Sequence, residues 1–297
     1  MRTYLDCFPC FLIQALGSSA IAGADEKTQK KIMLEVADKL KTIDTNLCPT
    51  EFGRFIYATT IKRTGNPDPY LAAKNASNRL ALKLYPTIKK KLPGSRDRLL
   101  TAIKLAIAGN IIDYGIKGKI DVTKELSKVL NEENNIIKSE NSKVFDYAGF
   151  KDKLKKANKI LYLGDNAGEI VFDRIFVEEI KRLYPKKEIT FAVRASPIIN
   201  DALMSDALSC GLDNSCRVIS SGVDAPGTIL RLCSKEFMKE FNSSDLIISK
   251  GQGNFEALSR EKGPIYFLFM AKCMTVAQHL NCALMDILLL KNKRYNR

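Results

Sequence analysis

The chain has no uninterrupted apolar run long enough to cross a bilayer, no secretory leader in its opening Met-Arg-Thr-Tyr-Leu-Asp-Cys, no internal repeat and no low-complexity tract. These absences set aside a membrane protein and a repeat array, and they lead us to expect a cytoplasmic protein. Histidine occurs once, as His279, late in a predicted helix, where it reads as structural rather than catalytic. No second Cys-x-x-Cys accompanies Cys7-Phe-Pro-Cys10, so a structural zinc site would lack its remaining ligands. No strand pattern precedes that pair, which removes the usual setting of a thioredoxin-type redox couple. A labile metal site or a redox pair stays open there, with a structural role preferred. In a reducing compartment the eight cysteines are not a disulfide framework. Cys210, Cys216, Cys233, Cys273 and Cys282 fall in or near apolar segments and read as core thiols, while Cys48, before a proline, takes no role.

What is present is ordinary in bulk. A length of 297 residues suits one large domain or two smaller ones, and 45% hydrophobic with 27% charged residues is a soluble, globular composition. The formal charge is +14. Its lysines are spread through 27–41, 83–91, 151–159 and 181–187, interleaved with apolar residues at helical spacing, as on solvated helix faces. A dedicated nucleic-acid surface is therefore not expected, although the positive field would attract small anions.

The pattern divides the chain into a helical part, 1–155, and an α/β part, 156–297. Helical periodicity runs from Leu12 to about Leu130, for example over Gln29–Ile43, Pro69–Lys91 and Arg96–Ile112, and residues 131–143 read as an exposed connection. Beyond 156 strands and helices alternate. The strands are Ile160–Gly164, Ile189–Arg194, Arg217–Ser220, Leu246–Ser249, Ile265–Phe269 and Asp286–Leu290. The helices are Glu169–Leu183, Ile198–Cys210, Gly227–Phe241, Gly253–Glu261 and Ala271–Leu280. Alternation of this kind implies right-handed crossovers and a mainly parallel, doubly wound sheet, here in the order 3-2-1-4-5-6. That order lines up the ends of the first, second and fourth strands along one crevice.

Chemistry-bearing residues cluster at those ends. Asp165 and Asn166 follow the first strand, and a carboxylate beside a carboxamide suits a hard cation; capping of the next helix is the alternative for Asp165. Glu169 and Asp173 share one face of that helix. After the second strand come Arg194, a candidate phosphate holder, and Asp201, placed to reach back toward Asp165 or to complement a helix dipole. After the fourth lies Lys250-Gly-Gln-Gly-Asn254, in which Gly251 and Gly253 allow close backbone approach and Lys250 offers a point charge. This run lacks the third glycine of a dinucleotide fingerprint. Asp224 is a cap or a substrate contact. Asn110 and Asp113, three apart within an apolar helix, suggest a second wall of the same crevice, unless they only mark its end at Gly115.

Together these segments resemble the damage-control phosphatases, long catalogued as domain of unknown function 89. The segments are Gly-Asp-Asn-Ala-Gly-Glu (164–169), Arg-x-x-Pro-x-x-Asn-Asp (194–201), Asp-Ala-Pro-Gly-Thr (224–228) and Lys-Gly-Gln-Gly-Asn-Phe-Glu (250–256). Cys7-x-x-Cys10 and Ala-Gly-Asn-x-x-Asp (108–113) resemble the prokaryotic, especially archaeal, branch. The resemblance implies a helical amino-terminal domain joined to a Rossmann-like α/β/α domain. It also implies hydrolysis of phosphorylated small metabolites with a divalent ion such as magnesium, manganese, cobalt or nickel. Carried over residue by residue, it puts metal ligands on Asp165, Asn166 and Asp201, and a phosphate-side lysine on Lys250. Asn110, Asp113, Arg194, Gly251, Gly253 and Asn254 would then surround the phosphate, with Glu169 orienting water or acting as base. Attack by Asp165 itself is the other route. Rival readings are a nucleotide- or RNA-binding module without turnover and a thiol redox protein built on Cys7 and Cys10. An assembly of identical copies is compatible with the sequence.

Overall fold

The computed structural model describes residues 1–111 and 144–292. Asp113 and the connection expected over 131–143 lie outside the described residues. Three helices open the chain: α1 (Cys7–Ile21), α2 (Glu26–Leu40) and α3 (Pro49–Thr64). Asp25 caps α2 by accepting from the Thr28 amide at 2.8 Å. Pro49 begins α3, where a missing N–H costs nothing, and Gly65 ends it in the left-handed conformation. The three pack on a small core of their own around Phe11, Ile32, Val36, Phe52 and Ile56.

Next come α4 (Leu71–Lys91) and α5 (Arg98–Ala108), and then, after the undescribed stretch, α6 (Tyr147–Lys156). The remainder alternates as β1 (Lys159–Leu163), α7 (Glu169–Leu183), β2 (Glu188–Val193), α8 (Met204–Ser209), β3 (Arg217–Ser220), α9 (Lys235–Ser243), β4 (Leu246–Lys250), α10 (Gln252–Leu258), β5 (Ile265–Met270), α11 (Met274–Leu280) and β6 (Ile287–Lys291). The six strands form one sheet in the order β3-β2-β1-β4-β5-β6. This is the expected order. All neighbours are parallel except β5 and β6.

Strand alternation sends side chains to both faces. Ile160, Tyr162, Phe191, Leu246, Ile248, Tyr266 and Leu268 share one core with α4, α5, α6 and α7. Leu161, Leu163, Ile247, Phe267 and Phe269 pack on the other face against Phe237 and Phe241 of α9, Phe255 and Leu258 of α10, and Val276 of α11. Each large apolar side chain buried this way contributes about 1.5–3 kcal/mol. No helix among the described residues is long and apolar enough to cross a membrane.

Two expected helices begin well after the point the periodicity suggests. The helix expected from Ile198 begins only at Met204, because residues 194–203 are tied across to the turn after β1. The Ala202 amide donates to the Asp165 carbonyl at 2.8 Å and the Ala167 amide to the Asn200 carbonyl at 2.9 Å. The helix expected from Gly227 starts at Lys235, with Ser234 as its cap. Asp224 instead holds the Arg54 guanidinium of α3 through two bonds of 2.7 and 2.8 Å, so it is neither a cap nor a cavity-wall residue.

Candidate active site

The turn 164–168 leaves β1 at its carboxyl end, between β2 and β4. Gly164 packs beneath Phe191, where an added Cβ would stand 2.6 Å from the ring. Gly168 has φ 78° and lies against Ser77 of α4. Its amide donates to Asn78 Oδ1 at 2.7 Å, while Asn78 Nδ2 donates to Asp206 at 2.7 Å. The turn is thus pinned by α4 on one side and by the 194–203 segment on the other, through paired backbone at Asn166 and Asp201.

Asp165, Asn166 and Asp201 all line one cavity of about 380 Å³. Its other walls come from the N-terminal helices, through Cys7, Cys10, Phe11, Gln14, Thr50 and Tyr57, and from Pro226, Gln252, Gly253, Lys272 and Cys273. Asn166 Nδ2 donates to Asp165 Oδ2 at 2.9 Å and to Glu169 Oε2 at 3.2 Å. With its amide nitrogen so committed, Asn166 keeps its carbonyl oxygen for another partner. Asp201 accepts from Arg194 Nε at 2.7 Å. Burial pushes the Asp165 carboxyl well above the usual carboxylate range, and the neighbouring Asp201 and Glu169 push it further. Burial raises the Asp201 carboxyl too, against the pull of Arg194.

Clustered acidic groups of this kind are what a cation would stabilise. The donor set is two carboxylates and one amide oxygen, all hard ligands. Among the described residues no group of three His, Cys, Asp or Glu side chains is arranged to hold an ion. Such a set fits an ion bound by one or two carboxylates that fills its remaining positions with water and phosphate oxygens, as magnesium does.

Lys250 stands elsewhere. It is fully buried, and its ammonium donates to the Ala106 carbonyl at 2.7 Å, to Glu169 Oε1 at 2.6 Å and to Asp173 Oδ1 at 2.6 Å. An ammonium has three N–H donors, so all are occupied, and the phosphate contact expected of Lys250 is not available in this arrangement. Burial alone would lower its pKa, but Asp173 and Glu169 outweigh that and raise it. Glu169 is closed in as well: one oxygen takes Lys250 and the other Asn166, an arrangement that suits an orienting group more than a base.

Arg194 also serves the protein. Besides Asp201 it donates to Thr228 Oγ1 and to Asn254 Oδ1, both at 3.0 Å. Asn254 in turn accepts from the Thr228 amide and donates to the Gly164 and Lys250 carbonyls. Both residues therefore brace the site from behind. Gly251, at φ 81°, leaves so little room that an added Cβ would stand 2.1 Å from Asp165 Oδ2, and Gly253 borders the cavity.

The cationic side chain that does line the cavity is Lys272, just after β5. Its Nζ donates to Asn110 Oδ1 at 2.6 Å, and it is among the groups that draw the Asp165 pKa down. Asn110 therefore belongs to the site as the residue that holds Lys272. Sequence reasoning passed over Lys272, which sits in Phe-Met-Ala-Lys-Cys without a glycine or a second charge to mark it. His279 bonds Tyr4 at 3.1 Å and packs edge-on against Phe255, a structural place.

Comparison with known proteins identifies the family. A damage-control phosphatase from Pyrococcus horikoshii is 35% identical over 296 residues, covering 99% of both chains. One from Archaeoglobus fulgidus is 36% identical over 225 residues, 75% of each. The crystal structure of a DUF89-family protein from P. horikoshii superposes with a TM-score of 0.86 at 33% identity, covering 99% of this chain and 100% of that one. The profile of the damage-control phosphatase ARMT1-like domain matches residues 3–288, and the chain belongs to that family.

Proposed function

We propose that this member of the family hydrolyses a phosphate ester of a small metabolite in the Asp165 cavity, with a divalent cation held by Asp165, Asn166 and Asp201. One observation carries the reading: oxygen donors from two separate loops meet a lysine across one open cavity at the carboxyl ends of β1 and β2. Ligands of open α/β sheets collect at this edge. A bound cation would offset charge on the phosphate oxygens and lower the pKa of a water. The protein's share is positional. Lys272, steadied by Asn110, is placed to take a phosphate oxygen. Asn166 is turned by Glu169, Glu169 by Lys250, and Asp201 by Arg194. Gln252 and Gly253 close the wall beside them. The family relationship and the walled cavity support small phosphorylated metabolites over nucleic acid as substrates.

The test is Asp165→Ala, with release of phosphate measured over sugar phosphates, nucleotides and cofactor phosphates in magnesium, manganese, cobalt and nickel. The variant should fold as the parent does, lose phosphate release, and lose the rise in Tm that the metal alone gives the parent. Lys272→Ala should keep the metal-induced rise and raise KM for the phosphate ester. An Asp165→Ala protein with full activity overturns the site.

A further inference from the structure

Cys7 and Cys10 occupy the first turn of α1, separated by Phe8 and Pro9. Both line the cavity; Cys10 is exposed and Cys7 half-buried. Neither has a part in the phosphatase reading. Cys273 reaches the same cavity from the segment between β5 and α11, a different element, and its sulfur accepts from Gln252 Nε2 at 3.5 Å, while the Cys10 sulfur accepts from Gln14 Nε2 at 3.2 Å within its own helix. Residues three apart on a helix keep their Cβ atoms about 5–6 Å apart, and a disulfide needs about 3.5–4.5 Å. A slight tightening of one turn closes that gap. Asp6 at the N-cap makes no side-chain cap bond, and the turn is held by backbone bonds from the Cys7 amide to the Tyr4 carbonyl at 3.0 Å and from the Phe8 amide to the Leu5 carbonyl at 2.9 Å. Pro9 sits where a helix has no internal use for its N–H.

We propose that Cys7 and Cys10 form a thiol–disulfide exchange site on the rim of this cavity, with a low-molecular-weight disulfide as its reaction partner. Cys10, the exposed thiol, attacks as thiolate on one sulfur of RS–SR. An S–S bond forms between Cys10 and one R–S unit, and the other leaves as thiolate, which takes up a proton. Cys7 then loses its proton and attacks the Cys10 sulfur, forming the Cys7–Cys10 bond and releasing the second RSH. The protein dithiol gives up two electrons and two protons, and the external disulfide becomes two thiols. The order of attack follows exposure, and burial pushes the Cys7 thiol up, which suits the resolving partner. Closing the pair pulls on the turn that carries Phe11 and Gln14, both on the cavity wall, so oxidation narrows substrate access. That last consequence rests on the phosphatase reading; the exchange site does not.

The experiment equilibrates the folded, full-length protein with oxidised and reduced glutathione, alkylates free thiols and reads the tryptic peptide Thr3–Lys27, which contains both cysteines. In oxidised buffer the peptide should resist alkylation and weigh two hydrogens less. Cys273→Ser should behave as the parent does, whereas Cys7→Ser should stop at a glutathione adduct on Cys10. A peptide that closes only when the chain is unfolded in urea, or a bond from Cys10 to Cys273, overturns the proposal. Phosphate release is then compared between the two states. Oxidation should raise KM several-fold and dithiothreitol should reverse it. In Cys7→Ser the ratio of reduced to oxidised KM should move away from that of the parent. Equal KM in both states overturns the narrowing. No phosphate release in either state sinks the phosphatase reading, while the mass shift still decides the cysteine pair.

Discussion

Asp173 carries the sharpest residue-scale consequence. It is completely buried, its Oδ1 accepts from Tyr162 at 2.7 Å and from Lys250 at 2.6 Å, and its Oδ2 has no partner among the described residues. Burial raises its carboxyl to about 6, with Glu169 adding and Lys250 opposing. Because the folded pKa exceeds the unfolded one, the native state holds the proton more tightly between pH 3.8 and about 6. The contribution of this group to stability is therefore complete below the unfolded value and is lost as pH rises through the folded value. A shift of that size corresponds to at most about 3 kcal/mol. Asparagine cannot titrate, so the stability difference between Asp173→Asn and the parent should shift in favour of the variant as pH rises from about 4 to about 6.5. Urea unfolding across that range measures it, and parallel curves would refute the assignment. At this scale the sequence was partly readable. The expected strand order already put Asp165, Asn166 and Asp201 along one crevice, and the structure brings all three to one cavity. Lys272 was not legible, since its significance depends on Asn110, 162 positions away.

Elements explain why Lys250 misled. Lys-Gly-Gln-Gly has the composition of an anion loop, yet Lys250 is the last residue of β4 and shares its parity with Leu246 and Ile248. Both of those face the core formed with α5 and α7, so Lys250 faces it too. The period of two along the strand contained that answer; the glycines drew attention to the loop instead. Helix ends were less readable for a related reason. Residues 198–203 carry helical spacing but are claimed by pairing with the turn after β1, and a tertiary tie overrides local preference. The glycine at 251 has a strict job at this scale. With φ at 81° and the Asp165 carboxylate 2.1 Å from any added Cβ, Gly251→Ala must displace either β4 or Asp165. Strain and overpacking should together cost about 2–4 kcal/mol. The loss in kcat/KM should exceed what that instability explains, because the displaced group lines the cavity. Gly94→Ala, where an added methyl meets nothing within 4 Å, is the control and should leave both readouts near the parent. Urea unfolding and phosphate release on the two variants separate local fit from a general intolerance of alanine.

The whole molecule carries 47 Lys and Arg against 33 Asp and Glu, and this excess acts at a distance from the cavity. Much of it sits on exposed helix faces, as in Lys41, Lys89, Lys151 and Lys156, with side chains half or more exposed even where they pair with acids. Such pairs add little to stability. Their summed field nevertheless reaches a phosphate ester before any contact forms, and it weakens as the Debye length falls from about 10 Å at 0.1 M salt to about 3 Å at 1 M. Lys272, exposed but lining the cavity and held by Asn110, adds a single charge to that field. Raising salt from about 50 mM to about 500 mM should therefore lower kcat/KM several-fold for a doubly charged ester while kcat stays nearly constant. Lys272→Ala should start from a lower kcat/KM and keep the same salt slope, since the field that steers and the charge that clamps come from different places. A slope that disappears with Lys272 would mean that the wider surface has no part in capture, and that the excess positive charge serves solubility alone.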